Sequence, residues 1–137
     1  MSALATQLTQ TYRREEELYM RILRLVEQQE RIMRETPDPH AVLALCQDVE
    51  HVLDEIAGIE RGIEPTKHRW EKRNGEEDAP ELDDLLGTIQ ESIERISQKQ
   101  DRVRQSLMAY MKEQQRQSES ARAGINARKA RLAYGSR

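Results

Sequence analysis

Apolar residues recur along this chain at intervals of three and four, the spacing that gathers side chains on one face of an α-helix. The first run is Leu4, Leu8, Thr11, Glu15, Leu18, Ile22, Leu25, Gln29 and Ile32. Its polar positions, Thr11 and Glu15, make it weak at the start and strong from Leu18 onward. Tyr12, Tyr19, Val26 and Met33 sit one place further on and widen the stripe to what a bundle helix needs. The run stops at Thr36-Pro37-Asp38-Pro39, because a helix interior tolerates neither proline. Asp38 then reads as an N-cap, with Pro39 in the first helical position.

The second run, Val42, Leu45, Val49, Val52, Ile56, Ile59 and Ile63, is the most hydrophobic of the chain, thickened by Cys46, Leu53 and Glu60. Pro65 follows and should kink the helix, since it removes an N–H and its ring clashes with the Arg61 carbonyl. Length argues for continuation beyond it. A first helix over residues 3–35 is about 50 Å long, and a second ending at residue 63 only about 37 Å. Carried through a kink to residue 73 the two match, and Trp70 falls seven residues after Ile63. Asn74-Gly75 is a suitable stop, and Asp78 with Glu81 has capping-box spacing.

The third run takes Leu82, Leu85 or Leu86, Ile89, Ile93, Ile96, Gln100, Val103, Leu107 and Tyr110. Residues 79–111 already span about 50 Å. The expected fold is therefore all-α: an antiparallel three-helix, coiled-coil-like bundle over residues 1–111, with a C-terminal helical extension over 112–137. That extension has a faint amphipathic stripe, Ala121, Ile125 and Leu132, and no intramolecular partner. An isolated helix of this length is marginal in water, so the tail is frayed, held by a second copy, or ordered by a client.

Composition narrows the class. The chain has 137 residues, no Phe, one Trp, six Gly and four Pro, and 34% of its residues are charged. Thin apolar stripes on such a background line a bundle and cannot fill a thick core. A single Cys excludes an internal disulfide framework and fits a reducing compartment. No run approaches the ~20 apolar residues of a membrane span. Residues Met1–Gln10 have no signal-peptide pattern, so a cytoplasmic protein is expected. The net charge of −3 conceals an asymmetry: residues 101–137 hold nine Lys or Arg against three Asp or Glu, and residues 1–100 hold thirteen against twenty-two. The basic end has no aromatic stacking platform or recognition motif, which argues against nucleic acid.

Catalytic chemistry has no constellation to stand on. His40, His51 and His68 are isolated in sequence, and the nearest approach to a metal pair, Glu64 with His68, reads as a solvated surface pair. No catalytic residue, metal ligand or cofactor is expected. Gly58, Gly62 and Gly87 lie within helical runs and form no phosphate-binding loop. Gln29 and Gln100, polar residues in apolar seams, set register. Trp70 stands among charged neighbours. It reads either as the last seam residue of the second helix or as an exposed partner contact, since Trp is enriched at binding hot spots.

This layout resembles FlgN-type flagellar export chaperones. The likeness covers most of the chain. A long first helix leads to Pro37-Asp38-Pro39, then to the Leu43–Leu53 stretch with Cys46 at its middle leucine. Residues Ile96 to Leu107 parallel a signature of the last helix, with Gln100 and Val103 where that family usually has Asn. Tyr134-Gly135 parallels its terminal Tyr-Gly. The resemblance implies a type III secretion chaperone whose C-terminal helix binds a helical segment of a hook-associated protein and prevents its premature assembly. The client-binding residues are then expected to be Tyr110, Ala121, Arg122, Ile125, Arg128, Lys129 and Leu132. A coiled-coil adaptor or self-assembling scaffold, such as a stalk-like component of the secretion apparatus, is the competing expectation, and a homodimer is compatible with either.

Overall fold

A computed structural model describes residues 2–73 and 79–134. Its elements are α1 (Ala3–Glu35), α2 (Pro39–Lys72) and α3 (Pro80–Tyr134). The chain divides into two compact units, Met1–Val103 and Arg104–Arg137. Met1–Val103 is the bundle unit.

Local chemistry sets the helix starts. Ser2 caps α1 by accepting a hydrogen bond from the Ala5 N–H at 3.1 Å. Asp38 caps α2 by accepting from the N–H groups of His40 and Ala41, with Pro39 in the first turn, as its sequence position predicts. The short Thr36–Asp38 connection turns α2 back along α1. Two cross-links show the antiparallel register: Gln29 reaches Val42 at one end, and Arg14 reaches Glu55 further along. Along α3 the order reverses. Arg13 pairs with Glu81, and Glu30 with Lys99 at 3.0 Å, so α3 runs parallel to α1. The expected three-helix, up-down-up bundle is what forms.

The core is a line of aliphatic side chains, among them Leu8, Ile22, Val26, Val42, Ile56, Leu82 and Ile89. Each contributes about 1.5–3 kcal/mol when removed from water. One buried cluster draws on all three helices, joining Leu8 and Tyr12 to Ile63 and to Leu82, Leu85 and Ile89. Gln29 is buried as a seam residue. Its amide donates to the Val42 carbonyl at 2.9 Å and to the Cys46 sulfur at 3.1 Å, which fixes the top of α2 against α1. Gln100, by contrast, is exposed.

Three features gain detail from the structure. α2 continues through Pro65 to Lys72, in line with the length argument. Ile63, Thr66 and Trp70 continue its inner face, and Pro65 is exposed, so water can reach the Arg61 carbonyl deprived of its donor. On α3 the buried line is Leu82, Leu85, Ile89, Ser92, Ile96 and Val103. Leu85 rather than Leu86 faces inward, and Ser92 takes the inner place expected for Ile93. Lys99 on this face of α3 pairs with Glu30 of α1, and Leu86 and Ile93 stand at the edge. Finally, the helical extension is continuous with the third helix, and α3 runs unbroken through Gly124 to Tyr134. The Asn74-Gly75 stop, the Asp78 half of the capping box and Gly135 lie outside the described residues.

Candidate interaction surface

The second unit is a single stretch of α3, exposed except at the half-buried Leu107 and Tyr110. Ala121, Ile125, Arg128 and Leu132 follow one another at intervals of four, three and four, and so share a face. Arg122 and Lys129 flank that face one place further on. Tyr110 lies three turns earlier on the same side. Ile125 and Leu132 are 55% and 75% exposed, well above what a buried seam residue shows.

Sequence reasoning overlooked two residues here. Met108 and Met111 are 65% and 63% exposed, at an i, i+3 spacing beside Leu107 and Tyr110. Flexible thioether side chains adapt to irregular partner surfaces, and the signal was a Met placed directly after each of the seam residues Leu107 and Tyr110. Between the two apolar zones the helix is held by its own polar side chains. Arg116 donates to both oxygens of Glu113, at 2.7 and 3.0 Å, and Gln115 donates to Glu119. The Arg116 guanidinium holds the Glu113 carboxyl below its usual range. Both acids of the unit are thereby engaged within residues 113–119. From Ser120 to Tyr134 the chain carries Arg122, Arg128, Lys129 and Arg131 and no acid.

Trp70 belongs to the bundle. It is half-buried against the cluster of Leu8, Tyr12, Ile63 and Leu82, which fits the seam-end reading over the exposed-contact one. His40, His51 and His68 are all exposed, as is Glu64. Among the described residues no group of three or more His, Cys, Asp or Glu is placed to hold a metal ion.

One polar feature inside the bundle escaped the periodicity argument. Glu15, a weak point in the first stripe, is 1% exposed, and its Oε1 is buried without a hydrogen-bond partner. Its carboxyl meets that of Glu60 from α2. Burial, the hydrogen bond with Glu60 and the charge of Glu60 push Glu15 up to about 8, against a smaller opposing pull from Lys67. Tyr12 is raised to about 12 and Tyr19 is raised too, in both cases first by burial and then by these carboxyls. Burial beside a second carboxyl thus favours the protonated form of Glu15. A carboxylic acid with no substrate-accessible face does structural work, and the signal for it was an acid at a seam position.

Compared with known proteins, the chain matches no family model, no curated sequence and no solved structure.

Proposed function

We propose that this chain works by binding rather than catalysis, as a cytoplasmic export chaperone of the flagellar type III system. Residues 107–132 of α3 take up a helical segment of a hook-associated protein and keep it from assembling early. The observation that carries the reading is the exposed apolar row of that segment, flanked by a basic stretch without acids. The sequence resemblance supplies the client class.

Physics defines the partner this surface fits. Ile125, Leu132, Met108 and Met111 offer apolar area to an amphipathic helix laid alongside. Arg122, Arg128 and Lys129 favour acidic residues on that helix and accelerate encounter at low salt. An amphipathic partner also stabilises α3 itself, since a lone helix of this length is marginal in water.

Titration of the chain with the isolated C-terminal helical segment of a hook-associated protein tests the reading by calorimetry. Burying two aliphatic side chains is worth about 3–5 kcal/mol, so Ile125→Glu combined with Leu132→Glu should weaken binding at least 100-fold. Unchanged client affinity after truncation at Gln117 would remove this segment as the binding site. A scaffold reading draws on the exposed Leu43, Leu53 and Leu86 of the bundle unit. It requires large, salt-insensitive oligomers at micromolar concentration, which light scattering distinguishes.

A further inference from the structure

The bundle unit has an apolar groove of its own. Tyr19 and Ile22 of α1, Leu53 of α2, and Ile93 and Ile96 of α3 line a recess of about 230 Å³ that Ser97 and Gln100 complete. Its floor is sealed, with Ile22 at 1% and Ile96 at 7% exposure, while its walls stay wet: Leu53 is 45% and Ile93 37% exposed. The turned face of α3 accounts for this. With Ser92 in the inward place, Ile93 stands at the edge opposite Leu53, and among the described residues of the bundle unit no side chain closes the gap.

Beside Leu53 and Ile93 the rim of the groove is acidic. Glu50 lies one turn before Leu53 and Asp54 beside it, and Glu94 adjoins Ile93; all three are exposed. No Lys or Arg occurs within one turn of Leu53, and Arg95, the sole one within a turn of Ile93, projects to the far side of α3 by helical spacing. The charge is matched elsewhere in the sequence. Residues 1–103 hold fourteen Lys or Arg against twenty-three Asp or Glu, and residues 104–137 hold eight against two.

We infer that this groove takes the C-terminal helix of a second copy of the chain. Ile125 and Leu132 of that copy enter beside Leu53 and Ile93, and its Arg122, Arg128 and Lys129 meet Glu50, Asp54 and Glu94. An amphipathic helix with basic flanks is what an apolar groove with an acidic rim selects, and residues 121–132 are such a helix. The inference goes beyond the chaperone reading: pairing of two copies keeps an exposed apolar helix out of water whether or not it also takes a client.

Sedimentation velocity of the full chain from 1 to 100 µM, in 50 and 500 mM NaCl, tests it. A reversible dimer is expected, at least tenfold weaker in the higher salt because its exposed charge pairs are screened. Leu53→Glu and Leu132→Glu should each weaken it a further tenfold or more. Glu50→Lys with Asp54→Lys should weaken it as well, and mixing that variant with Arg128→Glu/Lys129→Glu should restore a heterodimer. All of these positions are on the surface, and Trp70 fluorescence verifies that each variant keeps its bundle. A chain that stays monomeric at 100 µM in low salt overturns the inference. So does a dimer indifferent to Leu53→Glu, or one that survives truncation after Gln117. Groove binding by a basic amphipathic peptide of unrelated sequence, without dimerisation, also overturns it by assigning the groove to another protein. A parent chain that forms no dimer yet binds its client strikes this inference alone; a parent chain that dimerises as expected but binds no client strikes the chaperone reading alone.

Discussion

Replacing Glu15 by Gln should stabilise the bundle at pH 8 and change little at pH 4. In the folded chain the Glu15 carboxyl sits at about 8 against an ordinary 4.5. Below pH 4.5 it is protonated in both folded and unfolded states and adds no pH dependence. Above that, the unfolded chain releases a proton that the folded chain retains, so stability falls as pH rises, until the folded form also ionises near pH 8. At 1.36 kcal/mol per pH unit, the whole interval corresponds to a ceiling of about 5 kcal/mol. Water entering beside the pair reduces this, and a loss of about 2–3 kcal/mol between pH 5 and 8 is the working figure. Gln keeps the shape, donates from its amide to Glu60 and has no proton to lose. Urea unfolding followed by Trp70 fluorescence measures the effect on the bundle specifically, because Trp70 packs on the core cluster. At pH 8 the variant's midpoint should lie about 1 M or more above that of the parent chain, with an unchanged slope. A parent chain whose stability is flat from pH 5 to 8 refutes the reasoning. So does a Gln variant less stable than the parent at pH 8, which would mean that Lys67 holds Glu15 as an ion pair.

Other consequences are simpler. Pro65→Ala should stabilise the chain by about 1–3 kcal/mol in thermal unfolding, since α2 runs through this position and an N–H becomes available to the Arg61 carbonyl. Ile22→Ala, at a side chain 1% exposed, should cost about 2–4 kcal/mol in urea unfolding by leaving a cavity in the core. Asp38→Ala should cost about 1 kcal/mol, because two N–H groups of the first turn of α2 lose their acceptor. Gly124→Ala should raise the helical circular-dichroism signal and stabilise α3 locally by about 1 kcal/mol, as an added Cβ meets nothing.

The interaction surface was partly legible in advance. Ile125 and Leu132 stood out because a seven-residue spacing persisted on a helix-forming stretch after the strong apolar run had ended at Tyr110. Met108 and Met111 were passed over because they fall beside the stripe rather than on it. Trp70 could not be assigned from its charged neighbours, which are exposed in either reading; packing on Leu8 and Tyr12 decides for the seam. The groove was invisible, because Leu53 and Ile93 both carry seam-like spacing and periodicity cannot show which of two adjacent apolar residues turns inward.

By itself the sequence determined the helices, their order and most of their boundaries. Those features follow from local causes: apolar periodicity, the Asp38 cap with its flanking prolines, and lengths matched near 50 Å. It also determined the charge contrast between the acidic first hundred residues and the basic remainder. Only the tertiary structure decided how each helix is rotated about its own axis. That rotation depends on the fit of side chains from three helices at once, and no single stripe specifies it to within one residue. It buried Ser92 and released Ile93 to the edge, opened the groove beside Leu53, and closed Glu15 against Glu60 where burial disfavours the charge of Glu15.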